Sequence, residues 1–386
     1  MTTPFKHNDP YTVERCLKRN LNNGAITAED ADIIRQYIHW RAVTAAISRV
    51  RQAKLASIIC GLQKLDPKCP IKDLTVGTIY DKIQTLHSSE YSQNTKHDMI
   101  IIGKGFWKYL SDNGTIDADV KQIRAIKSIP VNPDTTTPDE ILTIEEISEL
   151  IKCGGSAKNR AIISVLYESA CRISELATLK WKDVFFDEHG AKLYIHDHKT
   201  NKQRYCRLII SVSHLIEWRN DYGMTASATG DNLVFITSKG ESISYAGYVK
   251  ILNRAVQRSG ITKNVHLHLL RKSRITHMVR ENYQESIIKQ IAWGNLNTSM
   301  MQTYVRLSES DIDSELLDHM GIVSKAEDAS SMKPTRCIRC GAIIGPDQKY
   351  CSHCGLSKDA DLTDAALSSD PELVMRILQI LQSQKE

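Results

Sequence analysis

Three prolines and three threonines fall within the nine residues from Pro130 to Pro138. Proline fixes its own φ angle and disfavours the helical conformation at the preceding residue, so a regular helix or central strand does not continue through such a segment. The segment therefore divides the chain, and we predict a linker over 130–142. A length of 386 residues also exceeds one typical hydrophobic core and favours two or three domains.

The residues before the linker predict a helical domain over 1–129. Thr27 is a candidate N-cap, and the apolar residues behind it recur at helical spacing. A second long helix is expected over 97–110. Strand signals are weak throughout this part, so we expect no sheet in it.

The residues after the linker predict a mixed domain over 143–323. Thr143 and Glu146 form a capping-box pattern that opens it, and a helix is expected over about 159–179. Alternating apolar residues and a polar turn within 193–210 predict a β-hairpin. The whole chain is therefore expected to be mainly α with a small β-sheet.

Composition and charge narrow the classes of function. The chain is 41% hydrophobic and 25% charged, as ordinary globular proteins are. Its formal net charge of +5 does not by itself indicate a nucleic-acid partner. The apolar runs are too short to span a bilayer, and residues 1–10 lack the apolar core of a signal peptide. We expect a cytoplasmic protein.

Four of the ten cysteines form two Cys-x-x-Cys-Gly sequences, with ten residues between Cys340 and Cys351. This spacing is typical of a structural zinc site with four thiolates, and free thiols or a redox pair are the alternative. We predict a zinc ribbon over 336–356 and, after it, a helix over 370–386. The predicted zinc ligands are Cys337, Cys340, Cys351 and Cys354.

Cleavage of a phosphodiester without a metal needs a nucleophile, cations around the phosphoryl oxygens, a proton acceptor and a proton donor. Arg172 follows small residues, and Glu175 lies one helical turn later, where it could hold the guanidinium. An ordinary surface ion pair is the alternative. Tyr304 is a candidate nucleophile whose hydroxyl needs neighbouring cations and a base, because its usual pKa is about 10. A core or surface tyrosine is the alternative.

His268 and Arg271 lie three residues apart and therefore on one face of a helix. Alone this pattern is weak, since many helices carry such pairs at their surface. The residues that make the stretch basic are Lys272, Arg274 and His277.

Lys199 lies in the predicted hairpin turn, beside Lys202 and Arg204. Its side chain could reach a nucleic acid from there. A solvated basic loop is the alternative.

Taken together, these residues resemble the tyrosine recombinase/integrase family. Arg-Ile-Ser-Glu-Leu at Arg172, His-Leu-Leu-Arg at His268 and Tyr-Val-Arg-Leu-Ser at Tyr304 occur in the family's order and at its usual separations. The resemblance covers roughly 143–322, and the chain looks closest to Xer-like integrases of archaea, which often carry a C-terminal zinc ribbon. It implies a site-specific recombinase that cuts and rejoins DNA through a 3′-phosphotyrosyl intermediate.

The resemblance also implies a role for each candidate residue. Tyr304 attacks the scissile phosphate, and Arg172 and Arg271 stabilise the charge on the phosphoryl oxygens. Lys199 protonates the leaving oxygen, and His268 assists proton transfer at the tyrosine. Since the phosphodiester is stored as a covalent bond of similar energy, neither ATP nor a catalytic metal is expected.

One position departs from the family pattern. The family usually has His or Trp nine residues before the tyrosine, typically after a glycine. Here Gly294 is followed by Asn295, and Trp293 lies two residues earlier. Asn295 could donate a hydrogen bond to the phosphate, or a small local shift could bring in Trp293 instead. Spacing slightly favours Asn295.

The resemblance implies double-stranded DNA as the partner and a homo-tetramer on that DNA. The first domain is similar to the family's core-binding domain, which clamps the duplex. A helix within 311–320 or the last helix could dock on a neighbouring subunit. The candidate phosphate contacts of the first domain are Arg15, Lys18, Arg19, Arg49, Arg51 and Lys54.

Two other functions stay open at this point. A type IB-like topoisomerase would use the same tyrosine chemistry and rejoin the original strand. A non-catalytic DNA-binding regulator would keep the scaffold without the reaction.

Overall fold

The computed structural model describes residues 12–131, 136–197, 202–222, 227–320, 334–346, 348–351 and 354–360. Within them the chain divides into two units, and the second begins at residue 136. The predictions for Lys199 and for the helix over 370–386 lie outside the described residues.

The first unit is helical over 12–131, as predicted. Thr27 Oγ1 accepts a hydrogen bond from the backbone amide of Asp30, whose carboxylate accepts from the amide of Thr27, so this capping box is complete. The buried helix faces meet in one core around Leu17, Ile34 and Trp107. The helices are α1 (Val13–Asn22), α2 (Ala28–Ala45), α3 (Arg49–Gln63), α4 (Val76–Ser88), α5 (Gln93–Asp112) and α6 (Val120–Ala125).

The second unit packs helices around a small antiparallel sheet, and this confirms the predicted mainly α fold. The strands, in sheet order, are β1 (Val184–Asp187), β2 (Gly190–Asp197) and β3 (Lys202–Leu208). The helices before the sheet are α7 (Ile144–Lys152), α8 (Ala157–Glu168) and α9 (Ile173–Ala177). Those after it are α10 (Val212–Tyr222), α11 (Tyr245–Ser259), α12 (Leu267–Arg280), α13 (Glu285–Trp293), α14 (Met301–Tyr304) and α15 (Glu309–His319).

The predicted hairpin is the β2–β3 pair. Leu193 and Ile195 of β2 and Cys206 and Leu208 of β3 are buried in the core of the unit. Their polar neighbours alternate with them toward the other face, as the two-residue period of a strand requires. This burial sets the register, in which Ile195 is opposite Arg204.

The single helix predicted over about 159–179 is wrong, because the chain breaks between α8 and α9. Ala170 takes a left-handed φ of 48°, and Arg172 is the N-cap of α9. Capping interactions replace the helical hydrogen bonds there, since Glu175 binds the backbone amide of Arg172 at 2.7 Å. Glu168 is the last residue of α8, and its carboxylate accepts hydrogen bonds from three backbone amides that precede α10. These amides belong to Ile209, Ile210 and Ser211.

Part of the predicted linker packs against the second unit. Ile141 and Leu142 are buried in its core, and the Leu142 amide donates to Ser273 Oγ at 3.1 Å. The cysteine segment forms a short antiparallel ribbon of β4 (Thr335–Arg336) and β5 (Ile343–Ile344). In the part of the chain that the structure describes, no helix has the length and apolarity needed to cross a membrane.

Candidate active site

Arg172 and Glu175 hold each other at the start of α9. Arg172 Nη1 donates to Glu175 Oε1 at 2.9 Å and lies 3.7 Å from Asp197 Oδ2 at the end of β2. The Glu175 side chain is 2% exposed, whereas that of Arg172 is 32% exposed. The guanidinium is therefore fixed on its protein side and accessible on the other, as a phosphate-binding arginine must be.

Arg271 is fully buried on α12 and lies beside Tyr304. Its Nη1 donates to the carbonyl of Ala170, and its Nη2 donates to the carbonyl of Ala292 at 2.9 Å. The guanidinium carbon lies 5.1 Å from the centre of the Tyr304 ring and 5.2 Å from that of Trp293. Burial lowers the pKa of Arg271 to about 10, so the side chain stays charged at neutral pH.

Tyr304 ends α14 and is 5% exposed. Thr276 Oγ1 on α12 donates to the Tyr304 carbonyl at 3.2 Å, which ties the tyrosine to the helix that carries Arg271. The Tyr304 ring meets the rings of His268 and Trp293 edge to face, each at 5.3 Å between centroids. Tyr304, Arg271 and His268, which the sequence analysis predicted as partners, are thus together.

His268 lies near the N-terminus of α12 and is exposed on one side. Loss of hydration on its packed side, together with the positive charges of Arg271 and Lys272, lowers the pKa of His268 to about 4. The imidazole is therefore neutral at neutral pH. A neutral imidazole beside a phenol can accept a proton.

Arg204 belongs to the site, although the sequence analysis described it as part of a basic turn. It is 3% exposed, and it donates to Glu175 Oε2 at 2.5 Å and to the Ile291 carbonyl at 2.6 Å. The sequence contained a signal for this burial. Arg204 lies two and four residues before Cys206 and Leu208, so all three side chains point to the same face of the strand, which is the face toward the core.

Comparison with known proteins agrees with the family resemblance of the sequence motifs. The profile described as "Phage integrase family" matches residues 135–311, the stretch that contains Arg172, His268, Arg271 and Tyr304. The domain over residues 135–311 belongs to the phage integrase family.

Its relatives include "Tyrosine recombinase XerD" of Bifidobacterium longum, which is 24% identical over 334 residues, 83% of this chain and 99% of the relative. "Tyrosine recombinase XerC" of Xanthomonas axonopodis pv. citri is 29% identical over 53% of this chain and 64% of its own length. Neither comparison tests the likeness to archaeal proteins, which stays a prediction.

Solved structures agree on the integrase fold. A lambda integrase dimer bound to a COC′ core site has a TM-score of 0.57 at 16% identity, over 75% of this chain and 80% of that one. The XerH site-specific recombinase bound to palindromic difH substrate has a TM-score of 0.54 at 17% identity, over 80% and 94%. At these identities the likeness shows the fold.

Within the phage integrase domain, Trp293 and Asn295 differ in their surroundings. Gly294 ends α13 with a left-handed φ of 62°, and the chain then carries Asn295 to the surface, where its Oδ1 accepts from the Asn297 amide at 3.1 Å. Trp293 touches Arg271 and Tyr304 instead. The indole Nε1 is buried and has no hydrogen-bond partner within the described ranges.

The turn that carries Lys199 lies outside the described residues, but both strands that lead to it are defined. Strand β2 ends at Asp197, whose carboxylate is the one that approaches Arg172. Strand β3 begins at Lys202 and continues to the buried Arg204. The described residues on either side of Lys199, Asp197 and Lys202, therefore lie next to residues of the site.

The basic residues that follow Arg271 on α12 serve the core. His277 Nδ1 and the Tyr167 hydroxyl are hydrogen-bonded at 2.8 Å, and the Arg274 guanidinium packs over the Tyr167 ring at 5.6 Å. Lys272 donates to Thr136 Oγ1 at 2.8 Å. These three side chains are buried and are not available for contact with DNA.

The four predicted metal ligands converge in the cysteine segment. Their sulfur atoms all lie within 4.8 Å of one another, with 3.5 Å between Cys337 and Cys354 and 3.6 Å between Cys340 and Cys351. Four sulfurs at about 2.3 Å from one zinc ion would lie roughly 3.8 Å apart, so this set fits a tetrahedral ion.

Proposed function

We propose that this protein is a site-specific DNA recombinase that cuts and rejoins DNA through a 3′-phosphotyrosyl intermediate. The observation that carries the proposal is the contact of Tyr304 with both Arg271 and His268, at 5.1 and 5.3 Å. It joins a nucleophile, a cation and a proton acceptor in one site. Its relatives include tyrosine recombinases XerD and XerC, and this supports the same activity.

In the proposed reaction the Tyr304 hydroxyl attacks the scissile phosphate, and neutral His268 assists the transfer of its proton. Arg271 and Arg172 stabilise the negative charge that develops on the phosphoryl oxygens. Lys199 protonates the 5′ oxygen as the bond to phosphorus breaks. A 5′ hydroxyl from another strand then attacks the phosphotyrosine and releases Tyr304, so the step needs no ATP.

Of the two residues near α13's end, we propose Trp293 as the donor to the phosphate, in place of Asn295. Two observations support Trp293: its contact with Arg271 and Tyr304, and its buried indole N–H without a partner among the described residues. A buried donor without a partner costs free energy, and a phosphoryl oxygen would satisfy it.

We also propose that the cysteine segment binds one zinc ion through Cys337, Cys340, Cys351 and Cys354. The described part of this ribbon buries few apolar side chains, among them Ile344 and Leu356. A structural ion would supply the folding free energy that such a small core lacks, and it takes no part in the strand cleavage.

The proposed substrate is double-stranded DNA in the cytoplasm, bound by a homo-tetramer. The solved structures of XerH and lambda integrase, which have the same fold, are bound to DNA sites. The candidate phosphate contacts on α1 and α3 are all exposed, although Lys54 also pairs with Asp98 at 2.6 Å. Helix α15 exposes apolar side chains that could dock on a neighbouring subunit, namely Ile312, Leu316 and Leu317.

A covalent-trapping experiment tests the activity. Nicked suicide duplexes, tiled across the DNA that flanks the encoding gene, are incubated with wild type, with Tyr304→Phe and with Tyr283→Phe, an exposed tyrosine outside the site. We expect an adduct with wild type and Tyr283→Phe and none with Tyr304→Phe.

Other outcomes would contradict the proposal in different ways. An adduct that survives in Tyr304→Phe would mean that another residue is the nucleophile. DNA binding without any adduct would favour a regulator. Adducts without exchange between two marked duplexes would favour the topoisomerase.

A further inference from the structure

Arg204 connects three elements around the cleavage site. It is carried on the buried face of β3, it donates from Nη2 to Glu175 at the start of α9, and it donates from Nη1 to the Ile291 carbonyl near the end of α13. Both Arg204 and Glu175 have side chains that are 2% exposed. A buried arginine with two such partners is fixed in position by its planar fork of donors.

We propose that Arg204 is a positioning residue for strand cleavage, acting on Arg172 through Glu175 and on Trp293 through the end of α13. The inference rests on the proposed recombinase function. Arg204 itself need not touch the DNA, since its donors are directed to protein groups.

The first action concerns charge. The buried Glu175 carboxylate binds Arg172 through Oε1 and Arg204 through Oε2. Because Arg204 compensates the negative charge of Glu175, the charge of Arg172 remains to attract a phosphoryl oxygen. Without Arg204, the buried carboxylate would hold Arg172 more strongly and leave less of its charge for the DNA.

The second action concerns geometry. Arg204 binds the carbonyl of Ile291, and Arg271 binds the next carbonyl, that of Ala292. Two guanidiniums therefore fix the C-terminal end of α13, where the helix dipole favours positive charge. Trp293 follows directly, so its indole is aimed at Tyr304 by the same pair of contacts.

Arg204→Lys keeps the positive charge at this position but removes the two-point contact, because one ammonium cannot bridge two acceptors as the arginine fork does. The variant therefore tests the two positioning actions and not the charge alone. The matched control is Arg207→Lys. Arg207 lies on the same strand and makes the same kind of pair, donating to both oxygens of Asp187 at 2.7 and 2.9 Å, but on the more exposed face.

The rate of adduct formation at saturating protein is measured on the nicked duplex that traps wild type best, together with binding to that duplex. We expect Arg204→Lys to slow trapping about 100-fold, as a misplacement of roughly 1 Å can do, while the dissociation constant changes little. Arg207→Lys should trap at the wild-type rate. Equal rates for Arg204→Lys and wild type would overturn the proposal, and so would a loss confined to DNA binding.

A crystal structure of Arg204→Lys gives a readout that does not depend on activity. We expect the Arg172 side chain or the Trp293 ring to move by about 1 Å or more, the displacement that matters for catalysis. If both keep their wild-type positions, the inference fails even where the recombinase function holds.

If wild type traps on no duplex, the proposed function fails, and the crystal structure still decides whether Arg204 positions these side chains. Arg204→Gln serves for both measurements should Arg204→Lys not fold.

Discussion

The guanidinium carbon of Arg271 lies 5.1 Å from the centre of the Tyr304 ring. The arginine reaches this position because the carbonyls of Ala170 and Ala292 bind its two Nη atoms. One carbonyl belongs to the break between α8 and α9, and the other belongs to the last turn of α13. The cation that faces Tyr304 is thus held by two chain segments far apart in sequence.

Arg271→Lys should therefore lose both orientation and stability. A lysine has no planar fork to bridge the two carbonyls, so we expect the rate of adduct formation to fall about 10²–10³-fold. A buried carbonyl left without its donor should lower the free energy of unfolding by roughly 1–3 kcal/mol. Trapping kinetics and urea unfolding measure the two effects.

Arg280→Lys is the control for this prediction. Arg280 lies on the same helix and pairs with Asp311 of α15 at 2.8 Å. It should trap DNA at the wild-type rate. A trapping rate for Arg271→Lys as high as that of the control would contradict the role given to Arg271.

Gly294→Ala should be more damaging than Gly260→Ala, although both glycines end helices with a left-handed φ, 62° and 70°. The left-handed conformation alone costs an alanine about 1–2 kcal/mol. A Cβ at Gly294 would also lie 2.9 Å from Arg204 Cβ, whereas a Cβ at Gly260 meets nothing within 4 Å. We expect an additional loss of roughly 1–3 kcal/mol for Gly294→Ala.

Urea unfolding of the two variants measures this difference in stability. Because Gly294 lies against Arg204, Gly294→Ala should also slow trapping, and Gly260→Ala should not. Equal stability and equal trapping in the two variants would show that the approach of Gly294 to Arg204 is unimportant.

Much of the fold could be predicted because its signals are local. The N-cap at Thr27 and the hairpin around 193–210 depend on residues close together in sequence, and both are confirmed. The helical end at Gly260 follows from a single residue that tolerates positive φ.

The features that the sequence alone could not place depend on tertiary contacts. The break at Ala170 has no glycine or proline to announce it, and its carbonyl is bound by an arginine 101 residues later. Its place beside Lys199 and Lys202 indicated that Arg204 belongs to a basic turn, but its partner Glu175 lies 29 residues earlier. Spacing favoured Asn295, and only the path of the chain after α13 shows that Trp293 contacts the nucleophile.

The free energy of unfolding should fall as the pH drops from about 6.5 to about 4. Burial, together with the positive charges of Arg280 and Arg274, lowers the pKa of His277 to about 4. In that interval the unfolded chain binds a proton at this histidine and the folded chain does not, so acid favours unfolding. A shift of this size corresponds to roughly 3 kcal/mol at its full extent. The lowered pKa of His268 acts in the same direction.

Urea unfolding at pH 7, 5.5 and 4.5 tests this dependence in wild type and in His277→Gln. The variant should be less stable at pH 7, because the contact with Tyr167 changes, but its stability should depend less on pH. His266→Gln, at an exposed position before α12, should keep the wild-type dependence. A His277→Gln curve parallel to that of wild type would contradict the prediction.

Removal of zinc should unfold the cysteine ribbon and leave the Tyr304 site formed. Purified wild type should contain about one zinc ion per chain, since four thiolates complete a tetrahedral site, and Cys351→Ser should contain almost none. Cys153→Ser, at a lone cysteine whose Sγ donates to Glu149, is the matched control and should keep its zinc. Elemental analysis after gel filtration measures the content, and limited proteolysis with and without a chelator should cut the apo ribbon first.

A wild type without zinc, or a Cys351→Ser with full zinc, would contradict the assignment. The four sulfurs would then be free thiols or a redox pair, which titration with a thiol reagent would distinguish.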